Sequence, residues 1–112
     1  MPEVGVREVW QRMAEAGVDG IKPALIDVRE VWEYAAGHAA EAVNIPLSEL
    51  QMRVGETPKD RDVFFICHVG ERSMMAARFA QRQGVTQVFN VEGGTDAWEA
   101  AGLPMERASS PA

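Results

Sequence analysis

One hundred and twelve residues fit a single domain able to bury about 65% of its unfolded surface, and 46% hydrophobic with 25% charged residues is an ordinary globular balance. A lone cysteine excludes an internal disulfide framework, and with only two histidines beside it there is no ordinary closed zinc site of four ligands. A net charge of -6 lacks the cationic footprint that duplex DNA or an anionic membrane requires, so the expectation is a cytoplasmic protein that binds no metal, nucleic acid or membrane.

Along the chain, Val6, Val9, Trp10, Met13 and Ala14 share one face of an amphipathic helix that Gly17 can end. Ala24 to Val28 is a short apolar run whose only charge, Asp27, lies near its end, as suits a strand buried on both faces. Glu30 to Ala36 reads as a short helix stopped by Gly37, and Ala42 to Ile45 as a brief strand closed by Pro46. Ser48 and Gln51 have capping-box spacing and Leu47 with Met52 the spacing of a hydrophobic staple, which predicts a helix ended by Gly55 and Pro58.

Val63 to Ile66 is the most strand-like segment and runs into Cys67; Val63 to Cys67 is also the longest purely apolar stretch, far short of the roughly 20 residues of a membrane span. Glu71 to Gln83 follows as a helix with Met75, Ala76, Phe79 and Ala80 on one stripe and Gly84 as its stop. Val88 to Val91 is the next strand. Gly93 and Gly94 lead into a short helix bearing Trp98 and ended by Gly102 and Pro104. Trp10, Trp32 and Trp98 read as core aromatics. Residues 1–107 are expected to form one domain and residues 108–112 a flexible tail. Glu3 and Glu8 stand where a secretory signal would carry basic and apolar residues.

Alternating strands and helices imply right-handed crossovers and a three-layer α/β/α fold around a mostly parallel sheet of about five strands. Ligands bind such sheets beyond the carboxyl ends of the strands, which is where Cys67 stands. The segment Cys67-His68-Val69-Gly70-Glu71-Arg72-Ser73 is a strand-to-helix turn that begins with a thiol and contains the glycine a tight curl needs. Its backbone N–H groups and the helix dipole favour an anion, and a thiol at such a place ionises readily and becomes nucleophilic. The alternative for Cys67 is a small hydrophobe buried at the end of a core strand.

In Cys67, Gly70, Arg72 and Ser73 the loop resembles the Cys-x-x-Gly-x-Arg-Ser active loop of the rhodanese family, thiosulfate sulfurtransferases and related persulfide carriers. The likeness extends from about Leu25 to Met105. Leu25 to Glu30, Trp32-Glu33-Tyr34, Gly37-His38 and Asn44-Ile45-Pro46 look like the family's first blocks, and Gly93-Gly94, Trp98 and Gly102-Leu103-Pro104 like its closing block. Glu41, where the family usually carries glycine, and the Ala39-Ala40 pair depart from the pattern. The resemblance implies a rhodanese-like fold and a sulfurtransferase that holds a persulfide on Cys67, with thiosulfate or another sulfur donor. A carrier or partner-docking module with little thiosulfate turnover is the second reading. Family phosphatases place five residues between Cys and Arg; here there are four, His68 to Glu71, which favours sulfur over phosphate or arsenate chemistry.

The chain has no second cysteine to accept the sulfur, so the acceptor must be external: a thiol, a protein cysteine or, in a test tube, cyanide. No cofactor is called for. Backbone N–H groups from His68, Val69, Gly70, Glu71, Arg72 and Ser73 are the expected cradle of the charged sulfur. Arg72 either orders the loop or binds the donor's oxygens, His68 is a solvated loop histidine or tunes the thiolate, and Glu71 favours the helix start. Asp27 with Arg29 is expected as a buried brace, and His38 as a brace of its turn.

Overall fold

The computed structural model describes residues 2–107, excluding the side chains of residues 17–19. In chain order these form β1 (Glu3–Val4), α1 (Val6–Asp19), β2 (Ala24–Asp27), α2 (Val31–Ala36), β3 (His38–Ala39) and β4 (Val43–Asn44). There follow α3 (Leu47–Arg53), a 3-10 turn over Val54–Glu56, β5 (Val63–Ile66), α4 (Glu71–Arg82), β6 (Val88–Val91), α5 (Gly94–Ala100) and β7 (Met105–Glu106). The tail expected at 108–112 lies outside the described residues.

Five strands form one sheet in the order β1-β6-β5-β2-β4, every neighbouring pair parallel, while β3 and β7 pair antiparallel apart from it. The central strand β5 explains the layering. Its side chains alternate, so Val63 and Phe65 pack with α3 and α4 on one face and Phe64 and Ile66 with α1 and α5 on the other. Both faces are covered and all four residues are buried, which is why the segment reads as a continuous apolar run. The fold is the expected three-layer α/β/α sandwich, with the end of β5 at its middle.

Helix α1 buries Val6, Val9 and Met13 and sets Trp10 edge-on to the fully buried Trp98, with ring centroids 5.9 Å apart. Ala14, expected on that stripe, is exposed, and the helix passes Gly17 to end at Asp19 with Gly20 as its cap. On α4 the buried stripe is Ser73, Ala76, Ala77 and Ala80. Met75 instead faces solvent, because residues 73, 76, 77 and 80 already define the inward i, i+3, i+4, i+7 row. Trp32, expected in the core, is 73% exposed on the first turn of α2.

The capping box and staple expected on α3 do not form. Pro46 is its N-cap with no side-chain bond, and Met52 is exposed. The start of α3 is held by the sheet instead: Ile45 N–H donates to the Asp27 carbonyl and Leu47 N–H to that of Val28. The capping box of this protein is on α2, where Glu30 and Glu33 exchange side-chain and backbone bonds. Among the described residues no helix is long and apolar enough to cross a membrane.

Candidate active site

Strand β5 delivers Cys67 to the carboxyl edge of the sheet, where its side chain is 1% exposed. The chain then curls through Gly70, whose φ of 111° lies in the left-handed region that favours glycine, and enters α4 at Glu71. That curl brings the Gly70 N–H to 3.1 Å from Cys67 Sγ. The Ser73 hydroxyl, one turn into α4 and fully buried, stands 3.3 Å from the same sulfur. The amides of Glu71, Arg72 and Ser73 open the helix and have no intrahelical acceptor, so the positive end of α4 lies at the thiol.

The other side of the loop is held by α5. Thr95 donates both its backbone N–H, at 2.7 Å, and its hydroxyl, at 3.0 Å, to the Cys67 carbonyl. Asp96 N–H donates to the His68 carbonyl at 3.1 Å, and its carboxylate meets His68 Nε2 at 3.0 Å. This approach needs Gly94, where a Cβ would sit 2.4 Å from the Cys67 carbonyl oxygen and 2.6 Å from that of His68. Gly94 and Thr95 shape the backbone at Cys67, and sequence reasoning missed both in that role; the signal was the Gly93-Gly94 pair. Asn90 was also missed. It lies on β6 and accepts a hydrogen bond from Ser73 at 2.5 Å.

Arg72 does not point free into solvent. Its two terminal nitrogens fork onto the Glu33 carboxylate at 2.7 and 3.0 Å, clasping α4 to α2. The Arg72 hydrogen bonds hold the Glu33 carboxyl at about 2, below the usual 4.5, despite the opposing effect of burial. Glu33 in turn raises the already high Arg72 guanidinium. Of the two roles open to Arg72, the geometry is that of ordering the loop. His68, Val69 and Glu71 are exposed on the loop's outer side, and among the described residues His68 has only Asp96 as an ionic partner.

Asp27 and Arg29 stand at the carboxyl end of β2, where Arg29 lines the same groove as His68, and His38 begins β3. Arg29 Nε and a terminal nitrogen fork onto the fully buried Asp27 carboxylate at 2.9 to 3.1 Å, and Arg29 donates onward to the Gly37 carbonyl at 2.7 Å. Asn44 completes the brace by donating to the backbone carbonyls of Asp27 and Arg29. The His38 ring stacks on Tyr34 at 3.6 Å and sets Nδ1 2.7 Å from the Tyr34 carbonyl, so that nitrogen carries the proton. Burial, more than the nearby Asp27 charge, raises the Tyr34 phenol.

Beside the loop a groove of about 590 Å³ is lined by Trp32, Glu33, His68, Thr95, Asp96 and Met105 among others. Cys67 does not line it. A sulfur added to Cys67 would carry the reactive atom about 2 Å further from the backbone, the length of a sulfur–sulfur bond. A buried thiol with a donor at 3.1 Å, a helix start behind it and an open groove beside it can act as a nucleophile and hold one transferable group.

The sequence pattern of the Rhodanese-like domain family matches residues 6–101. A sulfurtransferase of Allochromatium vinosum is 36% identical over 103 residues, covering 92% of each chain. The thiosulfate sulfurtransferase GlpE of Actinobacillus pleuropneumoniae serotype 3 is 30% identical over 106 residues, 95% of this chain and 94% of that one. Among solved structures, a rhodanese-related protein of Thermoplasma volcanium superposes with a TM-score of 0.82 at 28% identity, covering 95% of this chain and 98% of the other. With a family pattern spanning most of its length, a relative of near-equal size and the fold in common, the chain belongs to the Rhodanese-like domain family.

Proposed function

We propose that this protein is a sulfurtransferase that moves a sulfane sulfur from thiosulfate, or a donor like it, to an external thiol through a persulfide on Cys67. The observation that carries the reading is the sulfur itself: Cys67 Sγ is buried at the start of α4 with the Gly70 N–H 3.1 Å away. In the donor half-reaction the Cys67 thiolate attacks the outer sulfur of thiosulfate. The thiosulfate S–S bond breaks, sulfite leaves with the electron pair, and Cys67 keeps the sulfur as a persulfide anion. In the second half an acceptor thiolate attacks that outer sulfur and Cys67 leaves as the thiolate.

Each part of the loop has work in this scheme. Gly70 N–H and the open amides of α4, that of Ser73 among them, form the cradle of the sulfur, while the Arg72–Glu33 clasp and the α5 contacts keep the loop closed around it. His68, Val69 and Glu71 form the rim an acceptor meets. The Asp27–Arg29 brace fixes one wall of the groove by tying the end of β2 to the Gly37 carbonyl, and His38 braces its own turn against Tyr34. Since both terminal nitrogens of Arg72 are engaged by Glu33, attraction of an anionic donor falls to the loop amides. The single cysteine makes the acceptor a separate molecule, and a reactive thiol of this kind suits a reducing cytoplasm.

The test is the intact mass after exposure to thiosulfate. The expected result is one added sulfur on Cys67, removed by cyanide as thiocyanate. An unchanged mass with thiosulfate and with persulfide donors overturns the reading. Fast loading from a protein persulfide with slow loading from thiosulfate would select the second reading, a carrier that docks on a partner.

A further inference from the structure

Asn90 takes no part in the scheme above, yet it is buried and every polar atom of its side chain is engaged. Its amide nitrogen donates to the Gly70 carbonyl at 3.2 Å and to Glu3 Oε2 at 3.1 Å. Both partners are acceptors only, so they fix which way the amide faces and leave Oδ1 turned to Ser73. Ser73 Oγ lies 2.5 Å from that oxygen and 3.3 Å from Cys67 Sγ. A serine hydroxyl has one proton. With Oδ1 the closer acceptor and no donor of its own, the proton belongs to the Ser73–Asn90 bond, and Ser73 shows the sulfur only lone pairs.

From this inventory we infer that Asn90 is a positioning residue, keeping the Ser73 proton away from the Cys67 sulfur while tying the Gly70 carbonyl in place. A thiol can donate its S–H to Ser73, but a thiolate gains nothing from it and relies on the Gly70 N–H and the helix start. The consequence is chemical. A thiolate with fewer donors is a stronger nucleophile, since nucleophilicity falls as the thiol becomes more acidic. The charged groups around the sulfur are Glu3 on β1, the Asp27–Arg29 pair after β2, the Glu33–Arg72 clasp and the His68–Asp96 pair. Ser73→Ala alters none of these, and Asn90→Ala alters only Glu3, which loses the amide donor, so the double variant is what separates the Ser73 proton from that change.

The inference rests on the proposed role of Cys67 as nucleophile, but its test does not need sulfur transfer. The ultraviolet thiolate absorbance is followed against pH in the parent, Asn90→Ala, Ser73→Ala and the double variant. In Asn90→Ala the freed Ser73 proton turns to the sulfur, so the thiolate appears at lower pH by roughly one to two units, the worth of a hydrogen bond to a charge. Ser73→Ala alone should leave the curve within a few tenths of a unit, and in the double variant the Asn90→Ala shift should vanish. If Ser73→Ala alone delays the thiolate to higher pH, Ser73 already donates to sulfur and the inference is overturned. It is equally overturned if Asn90→Ala shifts the curve upward or the shift survives without Ser73. Should Asn90→Ala not fold, the Ser73→Ala arm still decides. Failure of thiosulfate loading with an intact cycle would sink the proposed function and spare this inference.

Discussion

The starts of two helices, α4 and α5, converge on Cys67, and they are used in opposite ways. Both α4 and α5 follow a glycine in the left-handed region, Gly70 at φ 111° and Gly93 at φ 76°. The start of α4 faces the sulfur, whose charge changes at each half of the proposed reaction. The start of α5 faces the carbonyl oxygens of Cys67 and His68, which do not change. One local device thus stabilises a variable charge and fixes a backbone. The difference predicts that damage at α5 should appear as lost structure, and damage at α4 as lost chemistry.

The largest expected effect is at α5. Gly94→Ala drives a Cβ into two backbone carbonyls, at 2.4 and 2.6 Å, from a φ of 59°. Neither neighbour can yield without opening the loop, so thermal or urea unfolding should show a loss of roughly 2 kcal/mol or more. Sulfur loading should fall with it. A Gly94→Ala protein of unchanged stability would break the contrast.

At α4, Cys67→Ser should abolish sulfur loading while costing about 1 kcal/mol, because the hydroxyl can still accept from Gly70. Loss of cooperative unfolding in that variant would mean that the thiol matters chiefly as core packing.

The clasp of α4 to α2 should give a smaller effect with its own signature in acid. Glu33 is held at about 2 against an ordinary 4.5, so its contribution is present above pH 4.5 and disappears as pH falls toward 2. Glu33→Gln is therefore expected to cost about 1 kcal/mol at neutral pH, modest because the Arg72 side chain is 35% exposed. Unfolding curves of the two proteins should converge between pH 4.5 and 2; a constant gap across that range would remove the ion pair as the cause.

The smallest effect lies outside both helix starts. Glu41 has φ 71°, the only non-glycine residue at positive φ among the described residues, and its carboxylate pairs with Lys22. Glu41→Gly should stabilise the protein by about 0.5 to 1 kcal/mol by relieving the left-handed strain, less the exposed ion pair. It should leave loading untouched, and a change there would tie this turn to the site.

How much of this was legible in the sequence depended on the distance between partners along the chain. The β5 strand, Cys67, Gly70 and the start of α4 are contiguous, and local pattern was enough to find them. Gly94 and Thr95 were not found as shapers of the loop because they lie far along the chain from Cys67, Thr95 by 28 residues, and Glu33 meets Arg72 across 39. Met75 was misplaced for another reason: hydrophobicity marks what can be buried, whereas the face is decided by neighbours already filling the inward row; Trp32 stands on a short helix that buries none of its residues. The two-residue strands β1, β3 and β7 are too short to carry a period. Glu41 shows the reverse case, since its departure from the family glycine marked the turn whose backbone is strained.

The β1–β6 pairing has a consequence for the order in which the molecule is made. The Glu3 carboxylate meets the Asn90 amide across 87 positions. During synthesis from the N-terminus, Glu3 is available long before β6 exists, so the surroundings of Cys67 remain open until β6 has emerged. Closing so long a loop is entropically expensive and gains nothing until β6 docks on β5, which places this edge of the sheet among the slow steps of folding. The pocket of the Cys67 thiol is thereby assembled late, after the strand that carries it.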